Sequence, residues 1–337
     1  MARVGIRDVA EHADVSIGTV SNYLNHPDKV SPARADRIRT AIAELGFVPS
    51  SVGRQLRLGV STVIGYIAPD VSNPYFAEIA EAVERRAAER GVSVFLANSH
   101  RSREREDAYI EVFEQHRVRG LLMSSHVPIE DRLAAVRRRG TPTVLVGQTA
   151  RSAEQPSVAL NDVSGGRQAT EHLLSIGCRR IAFVGGPLMI PQVADRLAGA
   201  SDAVRQYPDA MLEVIDEPDR TVRGGHAVGA ALMSRPPEQR PDGVFAVNDL
   251  LALGILQSVV AAGVSVPRDL AIVGYDDNEF AVASLIPLTS VRGRHEGFGV
   301  AVIGLLFEAI EHTIENPHRV FEPELVVRAS TEGFERR

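Results

Sequence analysis

Ile6-Arg-Asp-Val-Ala-Glu-His-Ala13, Asp14-Val15-Ser16 and Ile17-Gly-Thr-Val-Ser-Asn-Tyr-Leu-Asn25 follow one another without a break, and their reading decides the N-terminal fold. Ile6, Val9, Ala10 and Ala13 recur at intervals of three and four, which lines one helix face with apolar side chains, and Val20 and Leu24 do the same on a second helix. Between them lies a three-residue turn. Asp14 brings turn chemistry, and the Ser16 hydroxyl is placed to accept from an orphan amide in the first turn of the second helix. Ser31-Pro32 sets an N-cap and a proline at the first position of a third helix, which runs through Ile38, Ile42 and Leu45 to a terminal Gly46. Three short helices sharing an apolar face make a small headpiece, and a helix-turn-helix of this kind offers a helix end to a DNA groove.

Beyond Gly46, the stretch Phe47-Val-Pro-Ser-Ser-Val-Gly-Arg-Gln-Leu-Arg-Leu-Gly59 reads as a basic linker. Ser50 or Ser51 is placed to cap about one turn carrying Arg54, Gln55, Leu56 and Arg57, but a helix this short is marginal in water and Gly53 costs it about 1 kcal/mol more. Its folding calls for a partner, either DNA or the same segment of a second subunit. From Ser61 the texture changes to apolar strands alternating with amphipathic helices. Strands are expected at 63–68, 92–97, 120–124 and 143–147, with helices near 75–90, through Gln115 and ending near Arg138. The alternation restarts with a helix over 165–176, strands at 181–184, 244–247 and 271–274, and helices near 193–207, 222–233 and 249–261. Continuous apolar runs joined by helices imply parallel sheets covered on both faces, and two such series imply two doubly wound lobes. Ligands of open parallel sheets sit beyond the carboxyl ends of the strands, so a cleft between the lobes is the expected site.

The 337 residues suggest two to three domains at about 100–200 residues each. A hydrophobic content of 44% is ordinary for a soluble protein with sizeable cores. The net charge of −6 is unevenly spread: residues 1–59 hold 8 Lys and Arg against 6 Asp and Glu, and the rest hold 29 against 37. The asymmetry favours DNA contact through the N-terminal segment alone. With no apolar run near the ~20 residues of a membrane span and no signal-peptide core, the expectation is a cytoplasmic protein without a membrane partner. The single cysteine, Cys178, excludes an internal disulfide and reads as a small buried hydrophobe. No Gly-x-Ser-x-Gly elbow, no Gly-x-x-x-x-Gly-Lys loop and no histidine and carboxylate cluster at metal spacing occurs, so no enzyme, catalytic residue, metal or cofactor is expected. Arg101, Arg103, Arg105 and Arg137 to Arg139 read as solvated helix faces.

The chain resembles the lactose-repressor and galactose-repressor family of bacterial transcription factors over essentially its whole length. The strings DVAEHADVSIGTVSNYLN, SNPYFAEI, DRLAG, VNDLLALG and VGYDD carry the resemblance, in the family's order and spacing. It implies an α/β fold: an all-α headpiece (1–48), a hinge helix (49–60) and a core like the periplasmic sugar-binding proteins (61–337). Lobe 1 would take about 61–161 and 291–322, and lobe 2 about 162–290 and 323–337. Three crossovers join such lobes, so the C-terminal helix near 296–315 should return to the first. The resemblance further implies a homodimer on double-stranded operator DNA. The family's longer members carry a C-terminal tetramerising segment, whereas this chain reaches Arg337 shortly after its last strand, Leu325-Val-Val-Arg-Ala.

By the same resemblance, Ile17, Gly18 and Asn22 face base edges, while Ser16, Thr19, Ser21, Asn25 and Ser31 meet phosphates; base contacts specify and phosphate contacts position. Asn22 stands where many members carry arginine, and asparagine pairs bidentately with adenine where arginine suits guanine. Leu56, beside Arg54 in the hinge, matches the leucine that such repressors wedge into the minor groove. The implied effector site comprises Asn73, Tyr75, Phe76, Asp162, Arg196, Asn248 and Asp276, a set suited to a small polyhydroxylated molecule. Sugar-binding relatives usually have an aspartate after the strand Thr143-Val-Leu-Val146; here Gly147-Gln148 follows, leaving Gln148 as a neutral substitute. Purine-binding relatives have arginine and threonine where Ile190 and Gln192 stand here. A pentose, hexose or nucleoside that releases the repressor from DNA is the expectation, the alternatives being a purine-type corepressor or a sugar-binding protein without a DNA role.

Overall fold

The computed structural model describes residues 4–48, 61–293 and 295–334 of the chain, which falls into two units, Met1–Ser61 and Thr62–Arg337. The hinge residues Arg54 and Leu56 lie outside the described residues.

The first unit has three helices: α1 (Ile6–His12), α2 (Ile17–Asn25) and α3 (Pro32–Leu45). Val9, Ala10, Ala13, Val20, Ile38 and Ala41 are buried together, with Ile6, Tyr23, Leu24, Ile42 and Leu45 packed around them, so the apolar spacing closes one small core. Asp14 makes the turn in the left-handed region at φ 49°, and the Thr19 amide donates to the Ser16 hydroxyl at 3.1 Å. Gly46 ends α3 at φ 61°, and the Phe47 amide reaches back to the Ile42 carbonyl at 3.1 Å. Ser31 departs from expectation. It holds the N-cap position without a side-chain capping bond, because the Arg34 amide, a usual target of such a hydroxyl, goes to the Ser31 carbonyl at 3.0 Å.

The second unit contains two six-stranded sheets. The first is built from β1 (Val63–Ala68), β2 (Ser93–Asn98), β3 (Leu121–Met123), β4 (Thr143–Val146), β5 (Ser157–Leu160) and a late strand, β11 (His318–Phe321). The second holds β6 (Arg180–Val184), β7 (Met211–Ile215), β8 (Gly243–Ala246), β9 (Ala271–Asp276), β10 (Thr289–Arg292) and β12 (Glu324–Val326). The orders β2-β1-β3-β4-β5-β11 and β7-β6-β8-β9-β10-β12 repeat one topology. In each, the strand order reverses beside the first strand, which opens a crevice at the carboxyl ends between β1 and β3 and between β6 and β8.

Helices cover these sheets: α4 (Pro74–Glu89), α5 (Arg103–Gln115) and α6 (Glu130–Arg138) in the first half, then α7 (Asp162–Ser175), α8 (Pro191–Val204), α9 (Val222–Met233), α10 (Asp249–Ala261) and the short α11 (Glu279–Ala283). The last, α12 (His295–Glu311), follows a strand of the second sheet yet packs on α4, β4 and β5 of the first. Its chain then adds β11 beside β5. The chain thus crosses between sheets after Leu160, after Arg292 and after Phe321. The first two crossings insert a helix, which restores strand direction; the third has only Glu322 and Pro323, so β12 runs antiparallel to β10. That edge strand is the one antiparallel pairing among the described residues, in sheets otherwise parallel as expected. Cys178 is buried ahead of β6, as its apolar setting predicts.

Candidate functional site

On the headpiece, Gly18, Asn22 and Asn25 lie four and three residues apart on α2, a face separate from the buried Val20. Ile17 is 46% exposed, and Ser16, Gly18, Asn22 and Ser31 are exposed, while Thr19, Ser21 and Asn25 are half-buried. Three of these side chains already have local work: Ser16 Oγ sits 2.9 Å from Thr19 Oγ1, and Asn25 Nδ2 donates to the Ser21 carbonyl. Lys29 and Arg34 flank Ser31, are exposed, and belong to no ion pair among the described residues, unlike Arg37, which reaches Asp14 at 3.4 Å, and Arg39, which reaches Asp36 at 2.8 Å. The spacing argument did not single out these two cations, since a lone exposed Lys or Arg is common on any helix.

In the second unit, the carboxyl ends of both sheets meet around a crevice enclosing about 430 Å³ of atom-free space, part of it continuous with solvent. Asn73, Tyr75, Phe76 and His126 enter it from the first sheet's loops, and Gln192, Val193, Arg196, Arg220, Val247, Asn248 and Asp276 from the second's. Local structure fixes each. Asn73 caps α4 by accepting from the Tyr75 amide at 3.1 Å, and Pro74 occupies the first helical position. Asn248 caps α10, accepting from the Leu251 amide at 3.0 Å, while its Nδ2 donates to the Arg220 carbonyl at 3.0 Å. Tyr75 and Phe76 stand edge to face at 5.1 Å, with the His126 ring 5.8 Å from Phe76, so the three build an apolar wall.

Arg196 is the most constrained of the set. It projects from the first turns of α8, its Nε donates to Asp162 Oδ1 at 2.8 Å, its Nη1 donates to the Val247 carbonyl, and its guanidinium lies over the Tyr275 ring at 3.5 Å. Burial opposes its charge, but Asp162, Tyr275 and Asp276 together hold its pKa above the ordinary value. The approach of α7 and α8 depends on glycine. A Cβ on Gly166 would stand 2.0 Å from the Arg196 carbonyl oxygen, and one on Gly199 1.9 Å from that of Val163. Asp276 sits at the end of β9, with φ 102°, and is buried. Burial pushes its carboxyl up to about 7, Arg196 pulling against the shift and Asp162 and Glu78 adding to it.

Two hydrogen bonds span the crevice. Gln192 Nε2 donates to the Gly147 carbonyl at 2.8 Å, and Arg220 Nη2 lies 3.2 Å from His126 Nδ1. Arginine can only donate, so Nδ1 accepts and the imidazole carries its proton on Nε2. Burial, then the charges of Arg220 and Arg101, push the imidazole pKa down to about 3, so the ring stays neutral.

Of the eight effector positions expected from sequence, six line this crevice. Asp162 stands behind, engaged with Arg196, and Gln148 turns away to donate to the Ser125 carbonyl at 3.0 Å. His126, Gln192, Val193, Arg220 and Val247 were not anticipated as lining residues. Val193 and Val247 have ordinary core character, Gln192 lies in the first turn of α8 where nothing marks its aim, and His126 and Arg220 sit in loops whose course no periodicity reveals. The one legible signal for Arg220 was an arginine just before the Thr221 cap of α9.

Among the described residues no His, Cys, Asp and Glu group is arranged to hold a metal ion, and no helix is long and apolar enough to cross a membrane.

Comparison with known proteins finds matches to both units. Residues 5–50 match the family described as bacterial regulatory proteins, lacI family, and residues 170–331 match the periplasmic binding protein-like domain. The ribose operon repressor of Halalkalibacterium halodurans is 35% identical, over 98% of each chain. The HTH-type transcriptional repressor CytR of Escherichia coli is 31% identical over 98% of this chain and 96% of its own. In structure, the chain is similar to the lac repressor dimer bound to operator and the anti-inducer ONPF, with a TM-score of 0.84 and 26% identity over 98% of this chain and 99% of that one. A helix-turn-helix unit and a two-sheet unit with a crevice, matched end to end by repressors, make this chain a member of the lacI family of bacterial regulatory proteins.

Proposed function

We propose that the chain is a cytoplasmic, homodimeric, non-enzymatic repressor whose operator affinity is set by a small polyhydroxylated molecule, a pentose, hexose or nucleoside, bound in the crevice. The headpiece is assigned to 1–48, the hinge to 49–60 and the effector core to 61–337, with the lobes changing at the three crossovers. Ser16, Thr19, Ser21, Asn25, Ser31 and Arg54 hold phosphates, Ile17, Gly18 and Asn22 read bases, and Leu56 enters the minor groove.

The observation that carries the reading is the convergence, at the carboxyl ends of both sheets, of Asn73, Arg196, Asn248 and Asp276 with the aromatic wall of Tyr75 and Phe76. Amides and a carboxylate exchange hydrogen bonds with hydroxyls, the guanidinium offers a planar fork, and the rings cover the apolar side of a sugar. The relatives named for the ribose operon and CytR favour this chemistry over a purine corepressor. Gln192 in the crevice, where purine-binding relatives have threonine, argues the same way. The effector acts through differential affinity for two arrangements of the lobes, because a ligand binding both equally shifts nothing. Gel-shift titration on operator fragments selected by the purified protein tests this: a pentose, hexose or nucleoside should release the fragment. Tighter binding in its presence would make it a corepressor, and no response from the whole class would reject the reading.

A further inference from the structure

We infer that the effector carries an anionic group, a carboxylate or a phosphate, and that Arg220 receives it. The inference rests on the crevice being the effector pocket. Its basis is the contrast between the two arginines that line it. Arg196 is fully engaged with a carboxylate, a carbonyl and an aromatic face. Among the described residues Arg220 makes one side-chain hydrogen bond, to the neutral His126 ring at 3.2 Å, and its Nε is buried with no hydrogen-bond partner. No ion pair joins Arg220 to a carboxylate among the described residues. Neighbouring acids are committed elsewhere: Asp70 to Arg101 at 3.0 Å, and Asp219 to Arg223 at 3.0 Å and to Thr221 at 2.9 Å.

Asp276 and Asp70 act on Arg220 only at a distance; a guanidinium held out of water without a carboxylate in contact is costly, and a group that stays so placed is poised for an anion from outside the protein. Nη2, beside Nε, gives one hydrogen to His126, so a carboxylate or phosphate approaching side-on would take Nε and the second hydrogen of Nη2. Sugar hydroxyls would satisfy the donors but add no charge to the partial, distant pull of Asp276 and Asp70. The rest of the lining adds little more. Asp162 answers Arg196, Asp276 titrates near 7 and so carries part of a charge at neutral pH, and Gln148 is neutral. Burial and the charges of Arg101 and Arg196 lower the Arg220 pKa to about 10, which still leaves it cationic at neutral pH. An oxidised sugar bearing a carboxylate, or a sugar phosphate, fits this lining better than the free aldose.

Calorimetric titration of the full chain with matched series separates the possibilities: D-ribose, D-ribonate and the terminal phosphate ester of ribose, and the same three forms of D-glucose. At least one acid or phosphate should bind about 10-fold or more tightly than its parent aldose. Comparison of the two charged forms tells carboxylate from phosphate. Arg220→Met should weaken the charged ligand by about 10- to 100-fold and shrink its preference over the parent aldose by at least about 10-fold. Arg220→Lys, which keeps the charge without the fork, should fall between. The melting temperature of Arg220→Met should stay level or rise, since it removes an unpaired buried charge. Aldoses binding as tightly as their charged forms, or an anion preference that survives Arg220→Met, would overturn the inference and leave the sugar-effector reading standing. Binding by none of the compounds would overturn the inference, and the gel-shift titration over the whole class then decides the sugar-effector reading by itself.

Discussion

Asn22 and Asp276 show how much rests on single side chains. On the exposed face of α2, asparagine offers an amide that pairs with adenine, whereas arginine offers a fork suited to guanine. Asn22→Arg should move the preferred base at one symmetric pair of operator positions from adenine to guanine, a discrimination of about 1–3 kcal/mol, read by sequencing DNA selected with each protein. At Asp276 the fold holds a carboxyl protonated well above the ordinary range. The folded state therefore keeps this proton where the unfolded chain has lost it, and the stability it provides, complete below about pH 4, is lost as pH rises through about 7. Asp276→Asn should remove that slope. Chemical denaturation at neutral to mildly alkaline pH should find the variant more stable by on the order of 2–4 kcal/mol, while effector binding falls. Glu78, also raised to about 7 by burial and by Glu279, Asp277 and Glu81, keeps a smaller dependence in both proteins. The identity of Arg196 was legible from sequence; its fixed aim was not, because Asp162, Val247 and Tyr275 come from three separate elements.

Among elements, the pair α7 and α8 positions the crevice most directly. Gly166 and Gly199 let the two helices approach until backbone meets backbone, and that approach brings Asp162 to Arg196. Gly199→Ala would press a methyl against the Val163 carbonyl. It should cost about 1–3 kcal/mol by overpacking and weaken effector binding along with it, measured by thermal melts and calorimetry on the same preparation. Helices and central strands were readable because their apolar runs are long: α9 and α10 coincide with the expected 222–233 and 249–261. The expected C-terminal helix near 296–315 is α12, ending at Glu311. The strands β5, β7, β10 and β11 escaped the pattern. The edge strand β7 is largely exposed, with Met211 at 64% and Val214 at 42%, and β10 is Thr-Ser-Val-Arg, whose burial of Thr289 and Ser290 depends on bonds to Ser330, Thr331 and Asp249 from distant elements. Nothing local marks such segments as strand.

For the molecule as a whole, regulation needs the hinge and the crevice to act on one equilibrium. In the proposed mechanism Leu56 would carry the DNA side of that coupling through base-step unstacking, which costs a few kcal/mol and is offset by contacts on the bent duplex. Leu56→Ala should lower operator affinity at least about 10-fold without changing the melting temperature of the core, measured by fluorescence anisotropy and calorimetry. Unchanged anisotropy curves would remove the hinge leucine from the mechanism. Across the crevice, the Gln192 to Gly147 and Arg220 to His126 bonds join residues that follow strands of the two sheets.

The sequence by itself determined the helix-turn-helix, the two alternating series of strands and helices, and the approximate edges of the crevice. Each is written in short-range order: period, cap, turn residue and apolar run. Only the tertiary structure decided which side chains face the crevice, that Gln148 and Asp162 stand outside its lining while His126, Gln192 and Arg220 stand within it, and that β12 runs against its neighbours. Those outcomes depend on loops at the strand ends and on a two-residue crossover. Their course is set by contacts between residues tens to hundreds of positions apart, and no local pattern carries that information.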